Sequence, residues 1–254
     1  MTPTAPTASP TPHAGAAPLG ARVARQAAYE TGTALRNGEQ LLVTLILPLL
    51  ALVGIHVTGL LDTPARSGLD VAVPGVLALA VVSSAFTATA ISTGFERRYD
   101  VLAALAGTPL GTLGLVAGKA LSVIAVLGLQ TVAIGGVGLL LGWRPDPAGL
   151  VPALLALALG AAAFTALGLL LAGTARPEAT LAVANLVWVL LGAVGGTVFP
   201  PRWAWLELTP SGALGAALRA ALLDGAWAPG ALVVLLLWTA AAGAAALRWF
   251  RWRP

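Results

Sequence analysis

Long apolar runs separated by short polar stretches make up almost all of the chain after residue 40. Each run is about as long as the roughly 20 residues that an α-helix needs to cross the hydrocarbon core of a membrane. The pattern predicts six membrane-spanning helices, at about residues 41–61, 71–93, 117–141, 150–172, 180–198 and 229–247. The fold class that follows is all-α, a polytopic membrane protein.

The composition favours lipid over water as the solvent of this chain. Of its 254 residues, 58% are hydrophobic and only 9% are charged, whereas an ordinary soluble domain carries about 25% charged residues. The net charge of +4 comes from basic residues at the ends of the spans. That distribution sets membrane topology, so nucleic-acid binding is not predicted. The absence of cysteine excludes disulfides and thiol chemistry.

Two segments precede the first span. Residues 1–18 are rich in Thr, Pro and Ala and lack the features of a signal peptide, so we predict a disordered tail before one transmembrane domain, 19–254. Residues 19–39 place Arg22, Arg25 and other polar residues on one helical face and apolar residues on the other. This pattern predicts a helix that lies in the membrane interface beside anionic headgroups; an ordinary solvated helix is the alternative.

The basic residues predict the orientation in the membrane. Six spans place both termini on one side, and Lys and Arg concentrate on the cytoplasmic side of bacterial membrane proteins. Ten basic residues lie on the side of the termini and four on the other. The ten are Arg22, Arg25, Arg36, Arg97, Arg98, Lys119, Arg176, Arg248, Arg251 and Arg253; the four are Arg66, Arg144, Arg202 and Arg219. We therefore predict a cytoplasmic-membrane protein of a bacterium with both termini in the cytoplasm.

Catalytic chemistry finds little support along the chain. No serine occupies a GxSxG motif, and neither HExxH nor paired carboxylates occur within a span, so an intramembrane enzyme is disfavoured. His56 is the only histidine in a span, and Asn185 is the clearest amide within one. Such residues more often make structural hydrogen bonds than ligand contacts. We keep both as weak candidates for a substrate path.

The source of energy is predicted to lie outside this chain. The acidic residues fall in loops or near span ends, whereas ion-coupled carriers usually hold charged residues at mid-span. A secondary transporter or channel that works without ATP is therefore the alternative rather than the first choice. The segment GLVAGKA, residues 114–120, is no P-loop, because only three residues separate its glycines and Ala120 follows Lys119.

A charged island, residues 94–119, interrupts the apolar runs. Four charged residues fall within five positions and are followed by an apolar stripe; they are Glu96, Arg97, Arg98 and Asp100, then Val101, Leu102 and Leu105. Thr108 is the predicted N-cap of the next helix, with Pro109 at its first position and Lys119 further along. From the residues alone, a rigid helical lever and a plain loop with stop-transfer charges are equally compatible.

This island resembles the cytoplasmic segment of ABC-2-type permeases, the membrane subunits of ATP-driven exporters, including the drug-resistance group that resembles daunorubicin exporters. The matching residues in ERRYDVLAALAGTPLGTLGLVAGK are Glu96, Arg97, Leu102, Leu105, Thr108, Pro109, Leu110, Gly118 and Lys119. The chain departs from the pattern at Tyr99-Asp100 and Gly111-Thr112. A later segment, residues 198–225, is similar to the family's "FP…P" segment and the amphipathic helix after it.

The resemblance implies a coupling helix from Glu96 to Leu105 that docks into a groove on a separate ABC ATPase subunit. Its charged start, with Glu96, Arg97 and Arg98, would pair with the ATPase, and its apolar stripe would enter the groove. The turn into span 3 would be formed by Thr108, Pro109 and Lys119. Two ATPase copies and a second permease, identical or related, would complete the exporter. ATP and Mg would bind the ATPase, with no cofactor on this chain.

The resemblance also implies an extracellular gate after span 5. Its candidate residues are Phe199, Pro200, Pro201 and Pro210. Ser211 is the predicted N-cap of an amphipathic helix that lies on or re-enters the outer half of the membrane, with a plain interfacial helix as the alternative. The family would place spans 1 and 5 at the permease–permease contact, and the apolar interior favours an amphipathic or hydrophobic substrate.

Overall fold

The computed structural model describes residues 17–59, 61–62, 64, 67–198, 201 and 203–251, with the side chains of residues 39, 40 and 43 left aside. All regular structure in these ranges is helical, which confirms the all-α class. The predicted tail lies almost wholly outside the described residues. Phe199 and Pro200 of the predicted gate lie outside them as well.

The helices follow one another with short connections. They are α1 (Leu19–Arg36), α2 (Gly38–Leu41), α3 (Leu47–Thr58), α4 (Gly68–Val81), α5 (Thr89–Arg98), α6 (Val101–Ala106), α7 (Gly111–Leu140), α8 (Leu150–Thr174), α9 (Pro177–Ala193), α10 (Pro210–Asp224) and α11 (Pro229–Trp249). Two π-helical segments, Leu42–Ile46 and Val82–Ala88, join α2 to α3 and α4 to α5. Short 3₁₀ turns, Pro147–Gly149 and Ala204–Leu208, precede α8 and α10.

Four helices of the described chain are long and apolar enough to cross a membrane. They are Gly68–Arg98, Gly111–Leu140, Pro147–Thr174 and Pro229–Trp249, and they contain predicted spans 2, 3, 4 and 6. Predicted spans 1 and 5 fall in shorter apolar helices, Thr44–Thr58 and Pro177–Ala193. Helix length thus supports four of the six predicted spans. The first of the two shorter helices ends where Gly59 adopts a left-handed φ of 61°, a common helix terminator.

The helix Gly68–Arg98, which joins α4, the second π segment and α5, is the centre of the bundle. Within its apolar 18-residue stretch, 78% of the residues are buried inside the structure, whereas the share is 17% for the corresponding stretch of Pro229–Trp249. A capping box fixes its start, because Ser67 Oγ accepts from the Leu69 N–H and Asp70 Oδ2 accepts from the Ser67 N–H. Its other end carries the charged residues of the island. The helix therefore connects the buried core directly to the predicted coupling segment.

A hydrogen-bonded link between helices lies at the position of Pro48. Proline has no N–H to offer the carbonyl four residues earlier, which here belongs to Thr44. Gln130 Nε2 donates to that carbonyl at 3.1 Å, and Gln130 Oε1 accepts from Ser84 Oγ at 3.0 Å. All three residues are buried. Gln130 on α7 thus joins the two π-helical segments, which hold Thr44 and Ser84.

Helix α1 packs along α7 through a side that carries both apolar and polar residues. Ala27 is buried, Gly118 of α7 faces the side chain of Gln26, and Thr31 Oγ1 lies 3.1 Å from Ser122 Oγ. Arg25 and Arg36 are exposed. Arg22, which the residue pattern places on the same face as Arg25, is half-buried, so the exposed side of α1 matches the predicted polar face only in part.

Helix α10 is embedded against α4, α8 and α11 rather than lying on the surface of the bundle. The predicted N-cap Ser211 is wrong, because Thr209 Oγ1 accepts from the Gly212 N–H at 3.2 Å and Pro210 opens the helix. Arg219 donates to the Gly196 and Thr197 carbonyls at 2.9 and 3.1 Å. Burial lowers the pKa of Arg219, and the nearby charge of Glu207 acts in the opposite direction. These bonds fix α10 to the chain that follows α9.

Candidate functional site

The charged island forms a corner between two helices instead of one helix. Helix α5 ends at Arg98, Asp100 has a left-handed φ of 60°, and α6 begins at Val101. The predicted single helix from Glu96 to Leu105 is therefore wrong in its continuity. Asp is one of the few residues with a side chain that tolerate this backbone conformation, so the chain can reverse here without glycine.

The turn into α7 also differs in register from the prediction. Thr108 Oγ1 donates to the Leu105 carbonyl at 2.6 Å and accepts from the Leu110 N–H at 3.4 Å. Its side chain therefore closes α6 as well as the turn. Helix α7 begins at Gly111, and Pro109 lies in the exposed turn before it. The prediction that Pro109 is the first helical residue is wrong by two positions.

Lys119, Glu30 and Glu96 form a buried ion cluster inside the chain. Nζ of Lys119 lies 2.8 Å from Oε1 of Glu30 and 2.9 Å from Oε1 of Glu96. The lysine side chain is only 3% exposed, and the carboxylates are 15% and 23% exposed. Because a buried charge is costly without partners, the cluster holds α1, α5 and α7 in fixed positions. Glu96 therefore faces the interior of its own chain.

Sequence reasoning singled out Lys119 and Glu96 but missed Glu30. One signal was available: Lys119 is the only lysine and sits in an apolar run, where an ammonium needs carboxylates close by. Glu30 lies within the amphipathic first helix, and its Oε1 also accepts from Gln26 Nε2 at 2.9 Å. Which of the ten acidic residues would meet Lys119 depends on how α1 lies on α7, and the sequence pattern leaves that open.

A polar cavity of about 90 Å³ adjoins the ion cluster. Hydroxyl groups from α1, the Gly68–Arg98 helix and α7 line it; the residues that carry them are Thr33, Ser84, Thr89, Ser92 and Ser122. A polar space of this size has room for several water molecules. The lining of the cavity includes the three residues of the ion cluster and Ser84, which donates to Gln130. Polar groups from three helices thus meet at one cavity in an otherwise apolar bundle.

The two arginines of the island contact the turn between α8 and α9 and the first turn of α9. Arg97 is buried, and its Nη2 donates to the Ala175 carbonyl. Arg98 Nη1 lies 2.7 Å from Glu178 Oε1, with the two side chains 50% and 67% exposed. An exposed pair of this kind contributes little to stability. Arg97 therefore anchors the corner, whereas Arg98 remains accessible.

The apolar stripe of the island is divided between inside and outside. Leu102 is fully buried and packs with Leu110 and Leu115, with Leu105 and Phe250 at the edge. Val101 is exposed. Leu102 therefore holds α6 against α7. The apolar surface that remains accessible at the corner includes Val101 and Tyr99.

The remaining predicted residues do not gather at the polar cavity. His56 lies in the last turn of α3 and Asn185 in the middle of α9, and both are exposed on the surface of the chain. Pro210 is buried at the start of α10, and Pro201 is half-buried and near Gly196. Neither His56 nor Asn185 lines the cavity, so the structure supplies no shared substrate path for them.

The long apolar helices of this bundle define a multi-pass membrane protein. Residues 27–223, well over half of the chain, match the family of the ABC-2 type transporter. The chain belongs to this family, and it is a permease component of an ABC-type transporter. Permeases of this family work with an ABC ATPase subunit. A search of curated proteins returned no match.

Proposed function

We propose that this chain is the permease of an ABC exporter that moves an amphipathic or hydrophobic substrate across a bacterial cytoplasmic membrane. ATP and Mg would bind a separate pair of ATPase subunits, and a second permease, identical or related, would complete the path. Family membership supports the class. The proposed mechanism rests on one observation: the helix Gly68–Arg98 is continuous from the buried core to the charged corner.

The corner has two groups of residues with different proposed roles. Glu96, Arg97 and Leu102 are held inside the chain by Lys119, by the Ala175 carbonyl and by an apolar cluster. They keep the corner rigid. Arg98, Tyr99 and Val101 are exposed, and we assign the ATPase contact to them and to the half-buried Leu105. Movement of the ATPase would then be passed to the core through the Gly68–Arg98 helix.

The second permease has a candidate surface on α3 and α9. Both helices expose large apolar side chains along much of their length; among them are Leu50, Val57, Leu186 and Val189. We further propose that α1 lies in the inner interface, that both termini are cytoplasmic, and that Pro201 and Pro210 belong to an outer gate together with Phe199 and Pro200. The Lys/Arg distribution supports this orientation.

The experiment is co-expression with an ABC ATPase subunit encoded in the same operon, followed by transport assays in proteoliposomes. Val101→Glu places a charge on the proposed contact and should abolish both ATPase retention and ATP-dependent transport. Val151→Glu is the matched control, because Val151 is also exposed but lies in the first turn of α8, at the opposite end of that helix from the turn that contacts the corner. Full retention of the ATPase by Val101→Glu would refute the assigned contact.

One observation favours the alternative of a transporter or channel that works without ATP. The buried cluster of Lys119 with two carboxylates places ionisable groups in an apolar bundle, as ion-coupled carriers do. The two functions separate when the permease alone is reconstituted. Transport driven by a proton or sodium gradient without ATPase would establish the alternative, and transport only with ATPase and ATP would exclude it.

A further inference from the structure

An apolar groove opens between α7 and α8 at the end of the bundle that carries loop 141–149. It has a volume of about 680 Å³. Val132, Leu139 and Leu154 are among its apolar walls, and Trp143 and Arg144 belong to the same lining. The groove therefore joins a long apolar surface to one cationic side chain.

Two adjacent glycines leave the groove open. A Cβ atom at Gly135 or Gly136 would have no heavy atom within 4 Å. Side chains of ordinary size there would fill the space between the two helices. From Thr131 to Leu140 the helix rises about 14 Å, close to half of the roughly 30 Å hydrocarbon core. The groove thus has the length of one leaflet's acyl region.

One cationic group at the Trp143 end is available to a ligand. Arg144 is exposed and makes no ion pair with a described residue. The carboxylate of Asp146, two residues away, accepts a hydrogen bond from the Ala148 N–H at 2.8 Å. Trp143 is only 5% exposed, yet its Nε1–H has no acceptor among the described residues. The donor that a ligand can reach is therefore the Arg144 guanidinium, which is suited to phosphate oxygens.

We propose that this groove binds a phospholipid with an anionic headgroup, with one acyl chain between α7 and α8 and the phosphate at Arg144. Contact between these apolar walls and water is unfavourable. In a membrane, the molecules beside such a surface are lipids. The Lys/Arg count predicts that this end lies at the outer interface, where Trp residues also concentrate. The proposal does not depend on the exported substrate.

Native mass spectrometry of the purified full-length permease tests this site, with phosphatidylglycerol and phosphatidylcholine as added probes. The unmodified chain should retain phosphatidylglycerol preferentially. Gly135→Leu should bind it about tenfold more weakly, the effect of excluding as few as two methylene groups. Arg144→Gln should remove the preference for the anionic lipid and leave the bundle intact.

The control is Gly128→Leu on the same helix, two turns from Gly135 and equally open, but outside the groove lining. It should bind both lipids like the unmodified chain. Equal lipid retention by Gly135→Leu and Gly128→Leu would overturn the proposal. It would also be overturned if Gly135→Leu converted a dimer to a monomer, because the groove would then be covered by a second copy.

Discussion

At the scale of single residues, Lys119 determines how the cytoplasmic end predicted for this bundle is assembled. Its ammonium lies between two carboxylates from different helices, Glu30 and Glu96. Removal of one member of a buried ionic group usually destabilises a protein more than removal of the whole group. The reason is that the partners keep their desolvation cost and lose their compensating charge.

Lys119→Met should therefore destabilise the permease by about 3 kcal/mol. Two like-charged carboxylates would remain beside a cavity with no cation between them. The measurement is the midpoint of thermal unfolding in mild detergent. Adding Glu96→Gln should recover part of the loss, because it removes one of the two repelling charges. A single variant as stable as the unmodified chain would contradict the structural role of the cluster.

At the scale of helices, the π segments and Pro48 are held together by Gln130. Gln130→Leu removes both hydrogen bonds and leaves the Thr44 carbonyl and the Ser84 hydroxyl without this partner. We expect a loss of about 1–3 kcal/mol, the usual effect of unsatisfied buried groups. In the double variant with Pro48→Ala, the restored N–H can bond the Thr44 carbonyl. Thermal unfolding should show a smaller loss for the pair than the sum of the single variants, whereas strict additivity would exclude this link.

The sequence predicts helices better than it predicts their ends and mutual contacts. Apolar run length located the four long helices, since that signal is set by membrane thickness. It could not show that Asp100 adopts a left-handed φ and divides the coupling segment. It also could not show that Thr209 rather than Ser211 caps α10, because both side chains can serve. The pairing of Glu30 with Lys119 needs the position of α1 on α7, which periodicity alone does not fix.

At the scale of the whole molecule, the exposed amide of Asn185 bears on the assembly. It lies on α9 among exposed apolar residues, and an amide facing lipid lacks hydrogen-bond partners. A second permease copy on this face would supply them. Asn185→Leu should weaken dimerisation by about threefold, because interhelical hydrogen bonds in membranes average about 0.6 kcal/mol.

Förster transfer between labelled copies in liposomes measures this dimerisation. Leu237→Ala on α11 is the control, since Leu237 is 63% exposed on a different helix. It should leave the transfer efficiency unchanged. Equal dimerisation of Asn185→Leu and the unmodified chain would remove α9 from the candidate interface.

Assembly with an ATPase subunit, as proposed above, tests whether Leu102 holds the corner or enters a groove on that subunit. Leu102 is fully buried within its own chain, and truncation of such a leucine usually costs about 2–5 kcal/mol. Helix α6 has only six residues, so this loss should loosen the corner rather than unfold the bundle. Leu102→Ala should therefore keep the ATPase bound through Arg98, Tyr99 and Val101 but lower the amount of substrate moved per ATP hydrolysed. Val101→Ala, at the exposed neighbouring residue, should instead weaken ATPase binding and leave that ratio unchanged.

Parallel measurement of ATPase retention, ATP hydrolysis and transport separates the two roles. Loss of ATPase binding in Leu102→Ala alone would assign the groove contact to Leu102 after all.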